Sequence, residues 1–198
     1  LNVRRAIKMY ERAGVAGVHF EDQASPKKCG HFDGKVLVSS QEMASKIKAA
    51  VDARVDEDFL VIARTDAVPV EGYAAAYDRL AAFKEAGADM LMLPPPITLE
   101  QIKEAKQLGL PQIAVLDSSG KTPVVPLTDL EDAGVKMAIF PTAVVMAIIP
   151  AVRQLYQSIK DNGHLGEAMD SLAPYGDYND ILGLPAVIEL EKKYAHDG

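Results

Sequence analysis

A parallel α/β architecture of the barrel type is predicted by three features of this sequence. Short, nearly continuous apolar runs alternate with helical patterns; the helices close on Ala-Gly or Leu-Gly a few residues before the next run; and polar or proline residues gather where each run ends. Continuous apolar runs suit parallel strands buried on both faces. Polar clusters at their C-terminal ends mark the face on which such folds collect functional groups.

The elements follow in order. Residues 2–13 place Val3, Ala6, Ile7, Tyr10 and Ala13 three and four apart, which makes one helical stripe, and Gly14 stops it. The period then changes, and residues 16–22, 58–66, 88–94, 111–117 and 135–141 read as strands. Helical patterns lie between them at about 40–54, 71–86, 99–108 and 127–133, with a longer one at 142–162. A (β/α)8 TIM-type barrel needs eight βα units and about 250 residues, and five units are visible. Because the chain opens in mid-helix on Leu1, the expectation is such a barrel without its N-terminal βα units. Residues 1–162 are expected to form a partial barrel catalytic domain. Residues 163–198, with a final helical pattern at about 185–195, are expected to form a C-terminal helical extension.

Composition narrows the function classes. The 198 residues carry a formal charge of −7 and no basic patch, which argues against nucleic acid as a partner. The apolar stretch 137–152 is broken by Pro141 and Pro150 and falls short of the roughly 20 residues of a membrane span. A single cysteine makes no internal disulfide and suits a reducing, cytoplasmic setting.

That cysteine lies in "EDQASPKKCGHFDG", residues 21–34. Lys27, Lys28 and the Gly30 amide are expected to favour the Cys29 thiolate; the competing reading is an inert structural thiol. Glu21 and Asp22 end the preceding strand, and the pleat lets at most one of them face inward. A carboxylate there suits a hard divalent cation, directly or through water, or is merely a solvated loop acid. Arg64 ends the next strand, where its guanidinium fork suits a small dicarboxylate or an ion pair with Glu21 or Asp66. "SSGKTP" (118–123) lacks the first glycine of a phosphate loop. His19 reads as a hydrogen-bonded core residue, His164 and His196 as surface residues, and Met90 and Met92 as core.

"AGVHFEDQ" with "PKKCGH", followed by "DFLVIARTDA" and "EAGADMLMLP", resembles the isocitrate lyase/phosphoenolpyruvate mutase superfamily, most closely its 2-methylisocitrate lyase-like branch. Phosphonate-processing members usually lack the cysteine. The resemblance covers roughly residues 2–160. It implies a Mg²⁺-dependent carbon–carbon lyase, with Mn²⁺ able to substitute, that cleaves a methylisocitrate- or dimethylmalate-like acid into an α-keto acid and a dicarboxylate. Cys29 is then the proton donor on a gating loop and Lys27 supplies positive charge. Gly30, His31 and Arg64 bind substrate carboxylates. Glu21 holds the metal through water, with direct aspartate ligands expected upstream of Leu1. Homo-oligomers, dimers or tetramers, are implied through swapped terminal helices.

Two positions depart from the branch. Pro94-Pro95-Pro96 stands where its lyases carry a glutamate, and Val115 stands where they carry an asparagine. Oxaloacetate hydrolysis or decarboxylation is therefore an alternative activity. A non-catalytic, truncated homologue is the alternative outside enzymes.

Overall fold

The computed structural model describes residues 1–117 and 124–195. The rejected phosphate loop and His196 lie outside the described residues. Five parallel strands, β1 (Gly17–Glu21), β2 (Leu60–Arg64), β3 (Met90–Met92), β4 (Gln112–Val115) and β5 (Val135–Ile139), are hydrogen-bonded in chain order. Sequential order without a crossover separates a barrel wall from a doubly wound sheet, whose order reverses at a switch point. The helices joining them are α1 (Asn2–Arg12), α2 (Ser40–Val51), α3 (Val68–Glu71), α4 (Tyr73–Glu85), α5 (Leu99–Ala105), extended by a short 3₁₀ turn, and α6 (Leu127–Asp132). The Ser39 hydroxyl caps α2 by accepting from the Glu42 N–H, and Thr98 with Gln101 forms a reciprocal capping box on α5.

The pleat divides the strand side chains between two cores. Val18 and Phe20 of β1, Val61 and Ala63 of β2, Leu91 of β3 and Ala114 of β4 pack against Ile7, Met43, Ile47, Leu80 and Phe83 from the helices. Each fully buried Leu, Ile or Phe there contributes about 1.5–3 kcal/mol. On the other face Ile62, Met90, Met92 and Ile113 form a second cluster, with Leu60, Val115 and Ile139 against it. The two methionines are core, as their spacing predicts. His19 is not: it shares its face with Glu21 and is exposed, because β1 alternates Val18 and Phe20 towards the helices. Gly17 lies beside Leu60, so closely that a Cβ would sit 2.8 Å from the Leu60 Cβ and carbonyl oxygen.

The end of the strands opposite the polar rim is fastened by structural polar groups. Arg54 donates from Nη1 to Asp89 Oδ2 (2.6 Å) and to the Phe59 carbonyl, and the Val61 N–H donates to the same Asp89 oxygen. Gln112, buried, donates from Nε2 to the Ile102 and Ala133 carbonyls, tying α5 to the end of α6.

Packing divides the chain into Leu1–Val144 and Val145–Gly198, earlier than the 162/163 boundary expected from sequence. The long helix α7 (Ala143–Asn162), expected at 142–162, falls almost wholly in the second unit. Ser158 of α7 donates to the Leu165 carbonyl at the next turn. That unit continues with a 3₁₀ turn (Gly166–Ser171), α8 (Tyr175–Ile181) and α9 (Leu184–Tyr194). His164 is exposed there, as expected. No described helix is long and apolar enough to cross a membrane.

Candidate active site

Register fixes what the rim of the sheet presents. Glu21, last in β1, stands beside Arg64, last in β2. Asp22, one residue on, turns the other way and is fully buried, accepting from the Thr65 hydroxyl (2.6 Å), the Asp66 N–H (2.9 Å) and Arg79 Nη1 (3.2 Å). Burial pushes the Asp22 carboxyl up, and these donors oppose it. Only Glu21 therefore belongs to the site, as the pleat requires.

The loop between β1 and α2 is closed at its base by an antiparallel bridge of Gln23 with Leu37 and by N–H donation from Ala24 to the Val36 carbonyl. Inside it Lys35, 9% exposed, donates from Nζ to the Gly30 (2.6 Å) and Phe32 (2.7 Å) carbonyls. Gln23 brackets Lys28, donating to its carbonyl and accepting its N–H. Cys29 is thus exposed on a loop whose backbone is held on both sides.

Cys29 Sγ lies 3.6 Å from His31 Nδ1. The His31 backbone N–H first, then its imidazole, hold the thiol below its ordinary range, and Lys27 adds to this. His31 Nε2 is 2.8 Å from Oδ2 of Asp117, whose side chain is 2% exposed at the end of β4. Asp117 first, then Cys29, hold the imidazole above its ordinary value. Lys28 does not act on the sulfur as expected, because its Nζ turns to the Asp33 carbonyl. Lys27 Nζ reaches Glu21 Oε2 at 2.9 Å.

Arg64 grips Asp66 with its fork, Nε to Oδ1 at 2.9 Å and Nη2 to Oδ2 at 3.1 Å, while Nη1 lies 3.7 Å from Glu21 Oε2. Burial works against both charges, but the pairing outweighs it: Arg64 is held above its usual range and Asp66 below its own. Gln23 Nε2 donates to Asp66 Oδ2 at 2.6 Å. Gly30 lies close against this fork: a Cβ there would sit 3.0 Å from Arg64 Nη2, so the guanidinium would have to shift by a few tenths of an ångström.

The structure therefore brings Glu21, Lys27, Cys29, Gly30, His31 and Arg64 to one rim, with Gln23, Lys35, Asp66 and Asp117 holding them. The pairing of Asp66 with Arg64 was one of the two readings of the sequence, whereas the contact of Asp117 with His31 had no signal there. Lys35 had only its place after "FDG" to signal a buried cation. Glu21 Oε1 is buried without a hydrogen-bond partner among the described residues, and no group of three His, Cys, Asp or Glu among them could hold a metal. One free carboxylate oxygen fits Mg²⁺, which binds through one or two carboxylates and completes its shell with water and substrate oxygens. Beyond β3, Pro94 and Pro95 are buried, and Val115 packs on the inner apolar cluster.

Parallel strands in chain order, with a thiol held below its ordinary range, an arginine fork and a carboxylate with one unpartnered oxygen at their C-terminal rim, define a barrel-type protein with a polar, charged rim. The phosphoenolpyruvate phosphomutase family model matches residues 1–160, so the chain belongs to the phosphoenolpyruvate mutase/isocitrate lyase superfamily. It is 39% identical over 197 residues to 2,3-dimethylmalate lyase of Eubacterium barkeri, covering 98% of this chain and 68% of that protein. To 2-methylisocitrate lyase of Shewanella oneidensis it is 38% identical over 198 residues, covering 99% and 68%. Among solved structures, oxaloacetate acetylhydrolase with 3,3-difluorooxalacetate aligns at a TM-score of 0.84 and 32% identity, over 96% of this chain and 65% of that one. Phosphonopyruvate hydrolase with oxalate and Mg²⁺ aligns at 0.79 and 27%, over 98% and 68%. The chain spans about two thirds of the length of these proteins.

Proposed function

We propose that this protein is a Mg²⁺-dependent carbon–carbon lyase acting on a 2-hydroxy di- or tricarboxylate of the dimethylmalate or methylisocitrate kind. The observation that carries the reading is the Cys29 thiol, held below its ordinary range by His31 over a rim where Arg64 pairs with Asp66 and Lys27 with Glu21. Its relatives among the lyases support it. Bound Mg²⁺, reached by Glu21 through water, supplies polarisation of the substrate hydroxyl and the nascent keto oxygen. When the carbon–carbon bond breaks, its electron pair passes to the departing dicarboxylate, and Cys29 Sγ gives its proton to that carbon. In the reverse direction the thiolate takes the proton back. Arg64 binds a substrate carboxylate beside Asp66 and positions the bond under the sulfur. A lone exposed thiol suits a reducing compartment such as the cytoplasm.

A second reading, hydrolysis or decarboxylation of oxaloacetate, is favoured by Pro94-Pro95-Pro96 and Val115, which depart from the lyase branch, and by the likeness to oxaloacetate acetylhydrolase. One assay separates them. The protein with Mg²⁺ is offered dimethylmalate, methylisocitrate, isocitrate and oxaloacetate. Keto-acid release from a branched hydroxy acid is the expected result; turnover of oxaloacetate alone establishes the second reading, and no turnover of any acid overturns both.

We also propose that the C-terminal helices pack against a second copy. Val145, Met146, Ile148, Ile149 and Val152 of α7 and Val187, Ile188 and Leu190 of α9 are all exposed, an apolar area larger than isolated chains usually present. Light scattering should give a dimer or tetramer at micromolar concentration; a monomer there removes the proposal.

A further inference from the structure

We propose that Asp117 is a positioning residue of this site, which orients His31 against Cys29 so that thiol and imidazole share one proton. The inference rests on the reading of Cys29 as the proton donor and adds a residue from a strand that sequence gave no reason to join to the loop. Three atoms carry it: Cys29 Sγ lies 3.6 Å from His31 Nδ1, and His31 Nε2 lies 2.8 Å from Asp117 Oδ2. An imidazole with a carboxylate on one nitrogen presents the other to the sulfur, the arrangement by which nucleophilic and acid–base thiols are activated. The Asp117 side chain is nearly buried just past the end of β4, which two strands separate from β1 in the sheet. The contact therefore also fastens the loop across the rim.

The groups facing the pair are few. Lys27 comes from the same loop but is taken by Glu21, and Arg64 is taken by Asp66 and Glu21. Among the described residues Asp117 is an anion set directly against His31. The proton moves from Cys29 Sγ–H to His31 Nδ1, while the proton on Nε2 stays between His31 and Asp117. In cleavage His31 Nδ1 gives the shared proton back to the sulfur, which passes it to the substrate carbon, and the thiolate and neutral imidazole left behind take up one proton from water. Without the carboxylate the imidazolium is less favoured, so the proton stays on sulfur and the thiolate fraction falls.

Iodoacetamide alkylation reads this directly, because Cys29 is the only cysteine and neither substrate nor metal is needed. In Asp117→Asn the midpoint of the pH–rate profile should rise by about one pH unit. The rate at pH 7 should fall about threefold to fourfold, since a tenfold smaller thiolate fraction is partly offset by the greater nucleophilicity of a more basic thiolate. His31→Gln should shift the midpoint at least as far, and Asp117→Asn added to it should shift it no further. An unchanged profile in folded Asp117→Asn, or additive shifts in the double variant, overturns the proposal. So does the wild-type chain itself if its His31 Cε1–H resonance titrates below about 6.5, whatever the variants do. A shifted profile without keto-acid release removes the lyase reading and leaves the positioning role; release with an unshifted profile does the reverse.

Discussion

Cys29→Ser should lower keto-acid release by at least about 10³-fold, within the range that a positioned proton donor contributes. Serine keeps the volume and the hydrogen-bonding sense of the residue, and Cys29 is exposed, so the melting temperature and the binding of an oxalate-like product should stay as they are. What changes is acidity. A thiol held below its ordinary range by His31 gives up and takes back its proton far more readily than an alkyl hydroxyl in the same place. The pH profile follows with a definite sign. Cys29 lies below its usual range and His31 above its own, so the pair gives up its last proton only as pH rises through the upper of its two apparent values. Cleavage needs that proton and should fall on the alkaline side, while the reverse condensation needs the thiolate and should fall on the acid side. Turnover in the serine variant within tenfold of the wild type would remove Cys29 from the mechanism.

The barrel wall was legible because its strands are buried on both faces. Val61, Ile62 and Ala63 are all buried, two against the helices and one against the inner cluster, and a run of that kind has no period to confuse with a helix. The short helix α3 was not legible. It spans only Val68–Glu71, contains Pro69, and follows Asp66 without an apolar stripe of its own. Helix α8 hid in a Gly-, Pro- and Asp-rich stretch, since Tyr175–Ile181 buries no residue that would mark a face.

At the site the division runs along the same physical line. Groups placed by the strand period or by the local loop, namely Glu21, Cys29 and Arg64, could be read in advance, while His31 entered only through the family resemblance. Contacts made across the sheet, namely Asp117 with His31 and Arg79 with Asp22, join segments far apart in the chain and need the register to be known. The expectation for Arg64 illustrates the limit. Its fork was read as open to a dicarboxylate or as an ion pair, and the structure shows the ion pair made, with Asp66 occupying the same donors a substrate would use.

Arg79→Ala should be the most damaging single change to stability, about 3–5 kcal/mol, because it strips the cation from a fully buried carboxylate. Arg79 lies on α4 with its side chain 9% exposed, and it spends every donor group: Nη1 on Asp22 and the Val38 carbonyl, Nε and Nη2 on the two oxygens of Glu71. Asp22 in turn accepts from Thr65 and Asp66, so the guanidinium supports the strand ends from behind while the substrate-facing residues occupy the front. The expected fall in melting temperature is roughly 10 °C for a chain of this length. Glu71→Gln is the control. Glu71 is 37% exposed, and loss of such a partly solvated pair should cost no more than about 1 kcal/mol. The pH dependence also has a fixed sign. Burial holds Asp22 above its unfolded value, so the folded state binds more protons there and its stability falls as pH rises through the window between the two values. Removing Arg79 widens that window. Arg79 also holds Glu71 below its ordinary value, a contribution that the wild type loses as pH falls and the variant lacks. Both effects act in one direction, and the gap between wild type and Arg79→Ala should narrow between pH 7 and pH 4.5. A gap that widens on acidification, or a loss below about 1 kcal/mol at pH 7, would show that Asp22 does not depend on this cation.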